Sequence, residues 1–318
     1  MNLQKFYETP AVSGFECEFT ELIMKELQPH VDEVYIDTFG NLIARKGQKN
    51  NRKIMFECGL DENGLMAVTI DENGNIRVNS IGDFEVQNKV GQEVGFINTS
   101  KVSGILRCDK NLSDNITVDN LYIDIDANDK KQAEILVNIG DFTYFKGNLI
   151  ENETTVKSNH LTDKLVPYIM ANTAIFANNA NLDLYFVFSA QRKLNSRGLK
   201  AVLCEISPEI LITLGGINTE KDIKLGCGAV ILAKDKSTVT SESVKNDLIH
   251  AAKQHKIYAG NHDFGLANLR VTGANCLIGS VLLPVKYKNL TFEKVKKNDI
   301  ESVQNLLLQY IGGDLHNE

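Results

Sequence analysis

A chain of 318 residues is long for one hydrophobic core and comfortable for two, since single cores stop growing near ~250–300 residues. Lys plus Arg number 34 against 41 Asp plus Glu, so the net charge is −7, which argues against a protein that grips nucleic-acid phosphates. With 43% apolar and 24% charged residues, 5 Pro and no Trp, the composition excludes disorder and a flexible multi-domain string.

The best apolar run, 274–285, is broken by Asn275, Gly279, Ser280 and Pro284 and falls short of the ~18 residues a membrane span needs. The opening MNLQKFYETP lacks the apolar centre of a signal peptide. Six cysteines (Cys17, Cys58, Cys108, Cys204, Cys227, Cys276) are scattered with no CxxC pair, so reduced thiols and a cytoplasmic location are expected.

In chain order, Ser13-Gly14-Phe15-Glu16 reads as a capping box ahead of a helix with Phe19, Leu22, Ile23 and Leu27 on one face. Strands are expected over 34–36, 42–44 and 53–58, with a turn at Phe39-Gly40-Asn41. A hairpin over 67–70 and 75–81 turns on Asp71-Glu72-Asn73-Gly74. Short strands over 94–97, 103–107, 121–125 and 142–145, with a helix over 129–137, make a small β-rich module.

From Leu161 an α/β rhythm returns: a helix over 163–177 with Pro167 near its first turn, then a buried strand over 182–188. Helix 197–205, strands 210–214 and 230–233, helix 244–255, strand 276–283 and helix 299–311 follow. The pattern predicts an α/β fold carrying an inserted β domain.

Generic motifs are missing: there is no HExxH, GxSxG, P-loop or GxGxxG after a strand. Gly226-Cys227-Gly228 reads as a turn, and His262 beside Asp263 as a solvated loop. Several segments taken together carry more. They are Thr9 to Glu16, Asp37-Thr38-Phe39-Gly40-Asn41-Leu42, Gly59-Leu60-Asp61-Glu62-Asn63-Gly64-Leu65-Met66, Phe188-Ser189-Ala190-Gln191 with Arg197-Gly198, the stretch from Ile223 to Gly228, and Pro284 to Tyr287. In this order and spacing the chain resembles the glutamyl or deblocking aminopeptidase family of dinuclear zinc peptidases, some of whose members are labelled endoglucanases.

The resemblance implies a zinc-peptidase-like three-layer αβα domain from residues 1–65 plus 158–318. A small β-barrel domain, 66–157, is inserted in it. It also implies a homo-oligomer, from a dimer up to a dodecamer, while the charge and hydropathy argue for no nucleic-acid and no membrane partner.

Departures from the family pattern fall on its metal site. Gly59 stands where the resemblance places the first ligand His, and Thr162 where it places the bridging Asp. Arg192 stands at the general base and Lys193 at the following ligand Glu. Gly215 and Asn289 take the last Asp and His positions. Zinc takes imidazole, thiolate or carboxylate, so Gly, Thr and Asn do not serve, and Lys and Arg repel the ion. Arginine stays protonated and accepts no proton from water.

The implied reading is a non-catalytic member with no cofactor where the family uses two zinc or cobalt ions. It would act in binding or assembly, and a mixed particle with an active paralogue is a further form. The alternative is an active metal-dependent aminopeptidase with relocated ligands, for which Asp61, Glu62, Asp163, His160 and His262 are the available set. Cys58 reads as a small buried apolar residue rather than a nucleophile. No pair of carboxylates stands out for glycoside hydrolysis. Relative to the family, acids become Thr162, Arg192, Lys193 and Gly215, a gain of positive charge that nearly offsets the loss of two Zn²⁺. Arg192 and Lys193 are therefore expected to stand in for the metals, paired with the retained Asp61, Glu62 and Asp163. Any positive excess would take an anion, a peptide carboxylate or phosphate, at Arg192 and Lys193.

Overall fold

The computed structural model describes residues 1–97, 102–111, 115–236, 238–260 and 275–313. The chain opens with helices α1 (Leu3–Glu8) and α2 (Cys17–Leu27) and strands β1 (Glu33–Ile36), β2 (Leu42–Gly47) and β3 (Arg52–Gly59). Strands β4 (Gly64–Ile70), β5 (Ile76–Ile81), β6 (Glu93–Phe96), β7 (Ser103–Cys108) and β8 (Leu121–Asp124) follow. Helix α3 (Lys130–Leu136), strands β9 (Phe142–Phe145), β10 (Ile150–Glu151) and β11 (Thr155–Ser158), and helix α4 (Leu161–Phe176) come next. The remainder runs β12 (Leu182–Ser189), α5 (Arg197–Ile206), β13 (Ile210–Asn218), β14 (Ala229–Lys234), α6 (Glu242–Ala251), β15 (His255–Ala259), β16 (Leu277–Val285), β17 (Glu293–Lys296) and α7 (Lys297–Gly312).

Eight strands form one sheet in the order β1-β2-β12-β3-β13-β16-β14-β15. Strand β3 runs parallel to both β12 and β13, and β13 parallel to β16. Side chains alternate across the pleat, so each strand feeds two cores. Ala44, Phe56, Phe186 and Ile212 face α2, α4 and α7 on one side. Ile43, Met55, Val187 and Leu211 face Leu199, Val202 and Leu203 of α5 on the other. Helices on both faces of a largely parallel sheet explain why these strands read as continuous apolar runs.

Strands β4 to β9 close a barrel in the order β4-β5-β8-β7-β6-β9, with its own core of Leu65, Ile76, Val94, Leu106, Leu121 and Ile123. The fold is thus mixed α/β with a closed six-stranded barrel. The β4–β5 hairpin forms as expected. Asp71 Oδ1 accepts from the Asn73 and Asn75 amides, and Gly74 takes φ +82. A three-stranded sheet, β10-β11-β17, ties the chain after the barrel to its C-terminal part. Among the described residues no helix is long and apolar enough to cross a membrane.

Two local expectations are corrected. The capping box does not form: Glu16 is itself the N-cap of α2 without a side-chain cap bond. Its Oε1 accepts instead from the Gly14 and Gln191 amides, 2.9 Å each, because a loop distant in sequence presents a better donor. Pro167 lies deeper than the first turn, since α4 begins at Leu161. The proline has no N–H, so the carbonyl of Asp163 is left without its helical donor.

Candidate functional site

In open α/β sheets, ligand crevices lie beyond the carboxyl ends of parallel strands. Here β3, β12 and β13 end side by side, with Gly59 paired to Ser189. A cavity of about 460 Å³ lies at those ends. It is lined by Gly59 and Asp61 after β3, Thr162 and Asp163 at the start of α4, and Arg192 and Lys193 after β12. Leu214, Gly215 and Gly216 of β13, together with Lys288, complete that part of the wall.

Most of the residues singled out in the sequence therefore converge, though not as expected in detail. Arg192 does not pair with Asp61, Glu62 or Asp163. Its Nη1 donates to both oxygens of Glu57, at 2.8 and 2.7 Å. Glu57 is fully buried in β3 and also accepts from Ser189 Oγ at 2.6 Å. Sequence reasoning missed it. The available signal was one carboxylate inside the apolar run Ile54-Met55-Phe56-Glu57-Cys58, a position where an acid persists only with a partner.

Lys193 pairs as expected with Asp163, Nζ to Oδ1 at 2.8 Å. Burial alone would lower the Lys193 pKa, but Asp163 and Asp61 outweigh it and hold the ammonium above its ordinary value. Burial likewise pushes Asp163 upward, and Lys193 with His160 overrides it, leaving the carboxyl well below the usual carboxylate range.

Asp61 serves the backbone: Oδ1 accepts from the Arg192 amide at 3.0 Å and Oδ2 from the Lys193 amide at 2.8 Å. It thereby fixes the loop that carries both cations. Burial raises its pKa despite Lys193 and these two amides.

Glu62 does not line this cavity. It turns to Lys164 Nζ at 3.3 Å and accepts from the Ala11 amide. Thr162 donates from its amide (2.7 Å) and hydroxyl (2.6 Å) to Glu293 Oε2, while the Asn289 amide donates to Glu293 Oε1 at 2.9 Å. Thr162 and Asn289 are thus joined through a second buried carboxylate that the sequence reading did not single out.

His160 takes φ +48 at the start of α4. Its Nδ1 lies 3.7 Å from Asp163, and its Nε2 lies 3.1 Å from the Lys89 ammonium. Burial pulls Lys89 down to about 8. Cys58 is buried and its thiol is pushed up by that burial, which suits a packing residue. Gly226 and Gly228 form the expected turn, both amides donating to Asp299 in the first turn of α7. His262 and Asp263 lie outside the described residues.

A pair of divalent metal ions does not fit the donors present at the five positions. Gly59 and Gly215 have no side-chain donor atom, the Thr162 hydroxyl is spent on Glu293, and the Asn289 side-chain oxygen lies 3.4 Å from the Lys288 ammonium. Lys193 places an ammonium there. Among the described residues no group of three or more His, Cys, Asp or Glu is gathered around a common point. Among the described residues the relocated set does not converge either, since Glu62 is committed to Lys164 and Asp61 to the backbone.

A family model described as M42 glutamyl aminopeptidase matches residues 40–306. A putative aminopeptidase of Acetivibrio thermocellus is 32% identical over 325 residues, covering 97% of each chain. An aminopeptidase of the archaeon Desulfurococcus kamchatkensis superposes with a TM-score of 0.91 at 21% identity, covering 98% of this chain and 94% of that one. The Pyrococcus horikoshii TET1 peptidase, which can assemble into a tetrahedron or a large octahedral shell, does so with 0.87 at 24% identity over 96% and 97%.

The matches correct the expectation that the protein takes no cofactor. Aminopeptidases of this family use divalent metals, and the comparisons show no loss of that use here. With the family model covering most of the sequence and a relative aligned over nearly all of it, the chain belongs to the M42 glutamyl aminopeptidase family.

Proposed function

We propose that the cavity beyond β3, β12 and β13 is a ligand-binding site without a hydrolytic base, so that this aminopeptidase-family protein binds rather than cleaves there. The carrying observation is the Arg192–Glu57 ion pair. At the position where a general base is expected stands a guanidinium, which holds its proton near neutral pH, and its partner carboxylate is wholly enclosed. Glu57 is spent on Arg192 and Ser189, so it is not placed to activate water either.

Family membership favours a competing reading, peptide hydrolysis with metal held by other residues. Hydrolysis of aminoacyl-nitroanilides with Zn²⁺ or Co²⁺ added separates the two. Binding without cleavage gives rates equal to buffer in every case. Saturable, metal-dependent turnover would overturn the proposal.

On this reading Gly59, Thr162, Lys193, Gly215 and Asn289 correspond in position to the family's ligands, and here Thr162, Lys193 and the Asn289 amide engage Glu293 and Asp163. We take residues 66–157 as an inserted domain built on the barrel, and 1–65 with 158–318 as the peptidase-like domain. The TET1 peptidase forms large shells, and this chain is proposed to form at least a homodimer, alone or mixed with an active paralogue. Light scattering that returned only monomer would sink that part.

A further inference from the structure

Among the described residues three cations line the cavity, and their surroundings separate them. Arg192 is held by Glu57 and Lys193 by Asp163. Lys288, half-buried after β16, has no carboxylate within 4.0 Å among the described residues. Its ammonium makes one long contact, 3.4 Å to the side-chain oxygen of the adjacent Asn289. Burial first, and then the charge of Lys193, hold it below the usual lysine range. A desolvated ammonium with so little compensation gains from any anion that reaches it.

What surrounds Lys288 restricts that anion. Three acids, Asp61, Asp83 and Asp163, line the cavity beside the three bases, and Glu57 lies behind Arg192. Among the described residues the wall therefore has no surplus positive charge to hold a dianion such as phosphate. Among the described residues positive charge without a carboxylate partner is local, at Lys288. Val166, Pro167 and Leu214 supply an apolar face to the same cavity. Gly215 and Gly216 add no side chain beyond the strand end, and the Lys288 stem passes close to Gly216, 3.5 Å from where a Cβ would stand. The volume falls within the ~300–1,000 Å³ that small-molecule sites span.

The geometry points to a small monocarboxylate with an apolar tail as the ligand, its carboxylate on Lys288 and its tail against Val166, Pro167 and Leu214. This rests on the reading of the cavity as a binding site. It moves the anion position from Arg192 and Lys193, which are already paired, to Lys288. Selection is by charge and shape together, since an amine of the same shape would meet the ammonium and a phosphate would meet the three acids.

Calorimetric titration of the full chain with isocaproate, isohexylamine and inorganic phosphate tests it, with nitroanilide hydrolysis measured on the same samples. Isocaproate is expected to bind saturably, and the amine and phosphate to give no binding. Lys288→Gln should weaken isocaproate at least roughly tenfold, the scale of one charge-assisted hydrogen bond, and Lys288→Arg should restore it to within a few-fold. No isocaproate binding, equal binding to Lys288→Gln, or amine or phosphate binding as tight as the acid would each overturn the assignment. Turnover of the nitroanilide would instead overturn the non-hydrolytic reading, and the titration would still decide the role of Lys288.

Discussion

Arg192 lies across the space that a side chain on Gly59 would need. A Cβ built on Gly59 would stand 2.7 Å from Arg192 Cδ and 3.3 Å from Arg192 Cβ. The guanidinium is not free to swing aside, because Glu57 holds it from within β3. Three successive demands follow from one buried carboxylate: Glu57 needs a cation, the cation must cross the strand end, and the strand end must be glycine. Gly59 and Arg192 are therefore physically linked through Glu57.

Gly59→Ala is expected to lower stability by about 1–3 kcal/mol in urea unfolding, the usual cost of overpacking. In a Glu57→Gln background the same substitution should cost less, by about 0.5 kcal/mol or more, because Arg192 is no longer anchored there. Equal costs in both backgrounds would show that the two sites are independent.

The Lys193–Asp163 pair predicts an acid dependence. Asp163 is held below its ordinary 3.8, so its contribution is present above that value and is lost as pH falls towards the depressed folded value. Lys193→Met should therefore be less stable than the wild type at neutral pH. The difference should shrink below pH ~4, by up to about 1.4 kcal/mol per pH unit. A difference that stays constant down the acid limb would remove Lys193 as the cause.

Lys89 predicts the opposite limb. Its ammonium is buried against His160 and the Phe145 ring, and its pKa falls from 10.5 to about 8. Between those values the unfolded chain holds the proton and the folded chain does not, so stability rises with pH through that window. Lys89→Met should be more stable than the wild type near pH 7, and its advantage should fade towards pH ~10. Unfolding midpoints measured from neutral to alkaline pH check it, and a widening advantage would contradict the assignment.

The legible and illegible parts of this chain divide by the range of the interactions. The Asp71–Gly74 hairpin was readable because its bonds are local. Strands such as β12 were readable because two-sided burial leaves a continuous apolar run. The Glu16 contact to Gln191 was not, since the partner lies 175 residues away. The cavity itself was half legible. Its positions could be placed from flanking motifs, but the partners of its cations could not. Glu57 and Glu293 are chosen by sheet register and by the approach of β17 to α4, and neither is encoded by spacing along the chain.

Arg192 and Lys193, two of the cations lining the cavity, are neutralised by the protein's own carboxylates, with Arg192 on Glu57 as the anchor. A double-mutant cycle in urea unfolding tests it most directly, using Arg192→Met, Glu57→Gln and the pair. Arg192→Met alone leaves Glu57 buried and unpaired and should cost about 3–5 kcal/mol, while the double variant should recover much of that loss. Arg192→Met with unchanged stability, or a double variant whose cost is the simple sum of the singles, would contradict the account.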